Sequence, residues 1–311
     1  MSGTKQDSIK RVLKGLSDED YNQNLNYLAS IPSFHAAENI PLPEDARAVM
    51  TAEAAKKLEE FFDIIKLDYK NDENLKDTPM RVASMYINEL MVGRYTLPPR
   101  IEAFPADMYM VSSPSYEVDY IIGRDKILNS LEKIEKKIFS KDYVAHSVKG
   151  NDLLMRSERL LEDLHDLNKK YNVSLPDIQT VVAKTIDINS LCSHHLISFV
   201  STDDKDSKCT ITYIPTLGAE TALLGISKLQ RVADWFSRRP QLQEELNWQI
   251  KAMVSLILRS SDVMVSFSNI IHYCEKTRGV ESHCGSTSSV VFGGRFRDPE
   301  NRKLAYELTR N

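Results

Sequence analysis

The stretch Leu191-Cys192-Ser193-His194-His195 gathers a thiol and two imidazoles within a few residues. Cys192 and His195 are three positions apart, so one helical turn or one tight loop aims both at a single point. A second cluster, His272-Tyr273-Cys274, lies far downstream and is followed by Arg278-Gly279. Read as a strand, it puts His272 and Cys274 at i and i+2, on one side of the chain. Folding the clusters together sets two sulfurs and one nitrogen, from Cys192, His195 and Cys274, around one metal ion, with other imidazoles beside it. Three protein ligands and an open fourth position form the pattern of a catalytic zinc, whereas structural sites close with a fourth ligand. The implied chemistry is hydrolysis by a metal-activated water. A C-x-x-H pair alone also suits a chain that simply keeps buried thiols. Cys209 alternates within Cys209-Thr210-Ile211-Thr212-Tyr213-Ile214 and reads as strand packing, while Cys284 follows His283 with no spacing that makes it a ligand.

Around this motif the pattern is that of strands. Ile178 to Ile188 is β-branched and leads into the cluster, Lys208 to Ile214 is a second strand ended by Pro215, and Asp262 to Cys274 and Thr287 to Phe296 are the last two, with Gly293-Gly294 as a bend. Between them Gly225 opens a helix through Phe236, and Gln241 to Arg259 is a long amphipathic helix. Strand, strand, helix, helix, strand, strand predicts an α+β fold with helices on one face of an antiparallel sheet.

The N-terminal part is helical. Residues 1–43 are polar, end in Ile40-Pro41-Leu42-Pro43 and read as an extended arm. The segment Pro43 to Leu67 has a stripe of Ala54, Leu58, Phe61, Phe62 and Ile65, and Asp77-Thr78-Pro79 starts a further helix that ends near Gly93. From Arg124 to Tyr171 two amphipathic helices carry the stripes Ile127-Leu131-Ile134-Ile138 and Leu153-Leu160-Leu164-Leu167, with Gly150-Asn151 as the turn between them. Stripes of this kind serve packing, so this hairpin is expected to bury them on its own body or across a subunit boundary.

The 311 residues are 42% hydrophobic and 27% charged, ample for a sizeable core. A net charge of −4 gives no global attraction to nucleic acid. No apolar run approaches membrane-spanning length, the first residues lack the apolar core of a leader, and the cysteines are few. A reducing cytoplasm is the expected compartment.

Further segments suit a phosphate-bearing purine. Gly225-Ile226-Ser227-Lys228 begins a helix, where backbone N–H groups, a hydroxyl and an ammonium converge on an anion. Arg231, Arg238 and Arg239 add positive charge. Gln243-Glu244 sets an amide beside a carboxylate, and a carboxylate accepts the two parallel hydrogen bonds that guanine offers and adenine does not.

Taken in order, these segments resemble GTP cyclohydrolase I, the zinc enzyme of the tunnelling fold (T-fold). The matching pieces are Asp77-Thr78-Pro79-Met80-Arg81-Val82-Ala83, Leu191 to His195, Gly225 to Arg231, Ser237 to Glu244, His272 to Val280 and the strand Ser286 to Phe296. The resemblance covers residues 44–108 and 177–311. It implies an arm over 1–43, an N-terminal helical part over 44–108, a helical insertion over 109–176 and a catalytic T-fold core over 177–311. It also implies that Cys192, His195 and Cys274 bind Zn2+ with water in the open position, and that His194 and His272 move protons. Gln243 and Glu244 would hold the guanine, while Arg81, Ser227, Lys228, Arg231 and Arg278 would line the triphosphate side. The implied reaction is hydration of GTP at C8, ring opening with loss of formate, and reclosure to 7,8-dihydroneopterin triphosphate. The implied assembly is a homo-oligomeric ring, commonly a decamer, with sites shared between subunits. Ser193 stands where the family usually has glutamate, and Ser84 where some members have a lysine. Two other readings compete. A 7-deazaguanine nitrile reductase would use a cysteine nucleophile and a nicotinamide instead of zinc, against which the complete C-x-x-H and H-x-C set argues. A catalytically idle homologue would serve as a zinc-stabilised scaffold or regulatory partner.

Overall fold

The strand-forming segments around the Cys–His motif assemble into a seven-stranded sheet. The computed structural model describes residues 12–13, 15–33, 39–101, 103–105, 117–140, 150–171, 173, 181–203, 206–215, 222–281 and 285–309. The chain divides into two compact units, Met1–Thr96 and Leu97–Asn311.

In the N-terminal unit, α1 (Asp18–Ser30) starts at Ser17, whose hydroxyl accepts the Asp20 N–H, and three acids fill its first turn. This helix lies inside the segment read as an extended arm. Its apolar stripe, Tyr21, Leu25 and Leu28, is short and only half-buried, and the cap at Ser17 is its other sequence signal. Helix α2 (Glu44–Ile64) buries Ala46, Val49, Ala52, Ala55 and Phe62, while Phe61 and Ile65 of the expected stripe face solvent. Small side chains let neighbouring helices approach closely, and that alanine-rich face wins over the bulkier one. Helix α3 (Thr78–Ser84) has Pro79 in its first turn as expected and continues as a π-helical turn over Met85–Leu90.

In the C-terminal unit, β1 (Phe104–Pro105) is followed by α4 (Val118–Ile138) and α5 (Gly150–Lys170). These two helices are the expected hairpin. Gly150, read as its turn, is the first residue of α5, and residues 141–149 lie outside the described ones. Leu131, Ile134 and Ile138 of α4 are buried as read. On α5 the stripe is rotated: Leu153, Leu154 and Leu161 are buried, whereas Leu160, Leu164 and Leu167 are half-buried.

The sheet strands follow: β2 (Val182–Ile186), β3 (Asn189–Cys192), β4 (Ser198–Val200) and β5 (Lys208–Tyr213). The short β6 (Ala222–Leu223) pairs with β1 outside the main sheet. Helix α6 (Ile226–Ser237) leads through β7 (Pro240–Gln241) into helix α7 (Gln243–Leu258), and β8 (Val263–His272) comes next. A helical turn, α8 (Tyr273–Lys276), strand β9 (Ser286–Phe292) and helix α9 (Pro299–Glu307) complete the unit. The order is β2-β5-β8-β4-β3-β7, with β9 on the other edge of β8; every pair is antiparallel except β3–β7. Residues 178–180 of the first expected strand lie outside the described ones.

One core joins the sheet face carrying Val263, Val265 and Phe267 to α6, α7 and the hairpin. The hairpin thus buries its stripes against its own chain. The expected arrangement, helices on one face alone, needs correction: Met264, between those residues on β8, packs with Ile214, Phe296 and Ala305 of α9. All five residues from Val263 to Phe267 are buried, and a strand buried on both faces requires a second layer. No helix among the described residues is long and apolar enough to cross a membrane.

The bend at Gly293-Gly294 has a steric cause. Gly294 has φ of +53°, and a Cβ there would lie 2.1 Å from Asp262 Oδ1. Asp262 is held in place because it accepts the Arg295 backbone N–H and Nε, each at 2.7 Å. Gly294→Ala is therefore expected to cost at least about 2 kcal/mol in chemical denaturation; a loss below about 0.5 kcal/mol, the range of an ordinary surface change, would contradict this geometry.

Candidate metal centre

Strand β3 ends on Cys192, and the next residues reverse direction at once. The Cys192 N–H donates to the Ile197 carbonyl and the Leu196 N–H to the Cys192 carbonyl, both at 2.9 Å. Leu196 takes φ of +54° to close the turn. Ser193, His194 and His195 ride on this turn and are exposed. On the other edge of β3, Cys192 lies opposite Gln241, two residues before the start of α7. The end of β8 arrives through β4, where His272 pairs opposite Phe199.

Cys274 is placed differently from expectation. The strand stops at His272, and Cys274 sits on the helical turn α8, whose cap is His272. The pairing of β8 with β4 ends at His272 and with β9 at Ile271. With no ladder beyond that point, the backbone groups turn to local partners, as in the Thr277 N–H to Tyr273 carbonyl bond of 3.0 Å. The turn still brings the thiol to the motif. One donor atom each from Cys192, His195 and Cys274 lies within 4.8 Å of the others. Tetrahedral zinc with two sulfurs and one nitrogen spaces its ligand atoms about 3.6–3.8 Å apart. The donor set and its spacing therefore fit one small divalent ion after a slight contraction.

The electrostatics agree with the donor chemistry. Burial pushes the Cys274 thiol up from its ordinary value, and neighbouring Cys192 adds to the shift. Two crowded thiols resist ionising together, and a divalent cation is the group that reverses this. Arg278 Nη1 hydrogen-bonds the His195 Nε2. A guanidinium only donates, so this contact occupies the Nε2 lone pair and would give way if that nitrogen took a metal. Cys209 is fully buried in β5, its thiol pushed well up by burial alone, and is absent from the donor group. Cys284 lies outside the described residues.

Around the donors stand the other imidazoles. His194 Nδ1 is 3.5 Å from Cys192 Sγ. His272 Nε2 lies 2.8 Å from Gln243 Oε1. An amide oxygen only accepts, so Nε2 carries the proton and Nδ1 is the basic nitrogen of His272. Its ring stacks on Phe199 with centroids 4.9 Å apart. Burial lowers the His272 pKa, against an opposing pull from Glu244 and Glu275.

Gln243 is buried, and its amide nitrogen donates to Ser289 Oγ at 3.0 Å. Its side chain is thus engaged with His272 and Ser289, whereas Glu244 faces solvent. Ser227, Lys228 and Arg231 lie on the first two turns of α6, with Ser227 and Arg231 exposed. Arg81 belongs to the N-terminal unit, where it pairs with Asp77 at 3.6 Å. Sequence reasoning missed Phe199 and Ser289. The period-two hydroxyls Thr287 and Ser289, on the less exposed side of β9, were the signal for the second.

A sequence model of the family described as GTP cyclohydrolase I matches residues 120–310. The match takes in the hairpin as well as the sheet. The chain is 34% identical over 128 residues to GTP cyclohydrolase 1 of Serratia proteamaculans, covering 41% of this chain and 53% of that protein. It is 35% identical over 125 residues to GTP cyclohydrolase 1 of Blochmanniella pennsylvanica, covering 40% and 52%. For the Enterobacter protein of the same name the figures are 32% over 140 residues, 45% and 56%. The chain spans about half the length of the curated relatives it matches.

Cobalt(II) added to the metal-stripped protein is expected to give the near-ultraviolet thiolate charge-transfer band of sulfur-ligated cobalt, saturating at one equivalent. Cys192→Ser and Cys274→Ser should each weaken the band, and Cys209→Ala should leave it whole. Loss of the band in Cys209→Ala with retention in Cys274→Ser would show a different donor set.

Proposed function

Since the chain belongs to the GTP cyclohydrolase I family, we propose that it is a zinc-dependent GTP cyclohydrolase I with the tunnelling fold. In this reading it opens the imidazole ring of GTP at C8, releases formate and forms 7,8-dihydroneopterin triphosphate. The observation that carries the reading is the Cys192–His195–Cys274 donor group with the Gln243-bound His272 at its side.

Cys192, His195 and Cys274 would hold the zinc, which supplies Lewis acidity and a water acidified toward neutral pH. Ring opening at an aromatic carbon also needs protons moved on and off nitrogen, and two imidazoles near the donors suit that task. Gln243 fixes the His272 tautomer and leaves Nδ1 as its proton acceptor. His194, on the exposed turn, is the second proton carrier, reachable from solvent. Glu244 faces outward from the first turn of α7 and would accept the paired N–H donors of guanine, with Gln243 fixing that turn from within. Arg278 stands beside His195 and would meet the triphosphate, together with Ser227, Lys228 and Arg231 at the start of α6. In a ring-shaped homo-oligomer, neighbouring subunits would contribute part of this set. The cytoplasm, where thiolate ligands stay reduced, is the proposed compartment.

The test is formate release and pterin fluorescence on GTP with zinc-loaded protein. A folded, zinc-replete protein that releases no formate would overturn the reading. Glu244→Gln is expected to lose about 2–4 kcal/mol of transition-state binding, read as a fall in kcat/KM, because guanine donors are left poorly paired. Its zinc content should not change. Wild-type kinetics in that variant would remove Glu244 from the base pocket.

A further inference from the structure

Helix α7 is held on two sides. Toward the sheet, Gln243 and Asn247 both donate to Ser289 Oγ, at 3.0 and 3.1 Å, and Gln243 also receives His272. Toward the hairpin, the contacts run the length of the helix. Asn151, in the first turn of α5, donates to Glu245 Oε1 at 2.8 Å and accepts from Gln249 Nε2 at 3.0 Å. Glu158, two turns on, accepts from Trp248 Nε1 and Lys251 Nζ, each at 2.5 Å. Glu135 of α4 pairs with Arg259 just past the end of α7.

These contacts differ in what they can influence. Glu158 and Glu135 grip the middle and end of α7. Asn151 grips its first turn, through the residue next to Glu244. That turn has no side-chain cap of its own: the cap residue is Leu242, which has no group to accept an N–H. Beyond the β7 strand that leads into it, its orientation depends on lateral bonds, with Ser289 and His272 on one side and Asn151 on the other. A rotation of a few degrees there would move the exposed Glu244 carboxylate, while Gln243 stays held by Ser289.

We propose that Asn151 is a positioning residue for the reaction. From the hairpin, it fixes the first turn of α7 so that Glu244 meets the guanine edge at the angle its two donors require. This rests on the function proposed above and extends it to a part of the chain with no group of its own in the chemistry.

The experiment compares Asn151→Ala, Glu245→Ala, their double variant, Glu245→Gln and Glu158→Gln as zinc-loaded full-length proteins. KM and kcat for GTP, melting temperature and hydrogen exchange at residues 243–247 are read on each. Glu245→Ala should raise KM about tenfold, the loss of one charge-assisted hydrogen bond, and Asn151→Ala, which also loses the Gln249 bond, at least as much, with kcat changed by no more than about twofold in each. The double variant should be no worse than Asn151→Ala, since the Glu245 bond is already lost there. Glu245→Gln keeps an amide oxygen that accepts from Asn151 and should match the wild type. Glu158→Gln should lower the melting temperature and leave KM in place. Faster amide exchange at 243–247 in Asn151→Ala, but not in Glu158→Gln, is the part of the outcome that does not depend on turnover.

Unmoved KM and exchange in Asn151→Ala would overturn the inference and leave the hairpin as packing alone, as would a melting-temperature loss shared equally with Glu158→Gln. A wild-type protein that releases no formate would instead overturn the functional reading, whatever the exchange shows.

Discussion

Backbone pairing between β4 and the last residues of β8 is the constraint on which the centre depends. It sets Phe199 opposite His272 and Val200 opposite Ile271. Cys192 lies just before β4 and Cys274 just after β8, so this one ladder carries two thiols from distant parts of the sequence to the same end of the sheet. Closing so long a loop for a metal alone would carry a large entropy cost. Here the ladder and the core beneath it hold the loop closed, and only the short turns at Ser193–Leu196 and Tyr273–Lys276 need to adjust. The point where the ladder ends also decides the local structure of Cys274. The same pairing stacks Phe199 on His272 and so sets its ring plane.

The second dependency is α7, whose first turn reads in two directions. Inward, Gln243 is buried and fixes the His272 tautomer; outward, Glu244 meets solvent. Adjacent helical positions point about 100° apart, so an amide and a carboxylate side by side in sequence face different surroundings. The sequence reading gave both to the same ligand. The structure commits the Gln243 side chain to His272 and Ser289.

Much of the C-terminal unit could be read from the sequence because its signals are local. Gly225 ends a stretch and α6 follows; the β-branched runs become β2, β5, β8 and β9; Cys192 and His195 converge as their spacing demands. What escaped reading depends on partners. Strands β4 and β7 are too short for a period to show, and exist because β3 lies between them. The strand-to-helix change at Tyr273 follows from where neighbouring strands stop. The face of α2 was misread because alanines pack closely where larger residues stand exposed, and α1 because its short stripe of Tyr21, Leu25 and Leu28 is only half-buried. On the hairpin, α4 was read correctly, whereas α5 is turned by about one residue, toward the polar and apolar partners that α7 offers.

The central proposal is that Cys192, His195 and Cys274 hold one zinc with its fourth position open. X-ray absorption at the zinc edge of the loaded protein tests it most directly. The account predicts a four-atom shell with two sulfurs near 2.3 Å and two light atoms near 2.0–2.1 Å, one of them with the outer-shell pattern of an imidazole. The remaining light atom should be displaced by an added anion. A shell with three or four sulfurs, with none, or with a fourth protein ligand that no added anion displaces would contradict it.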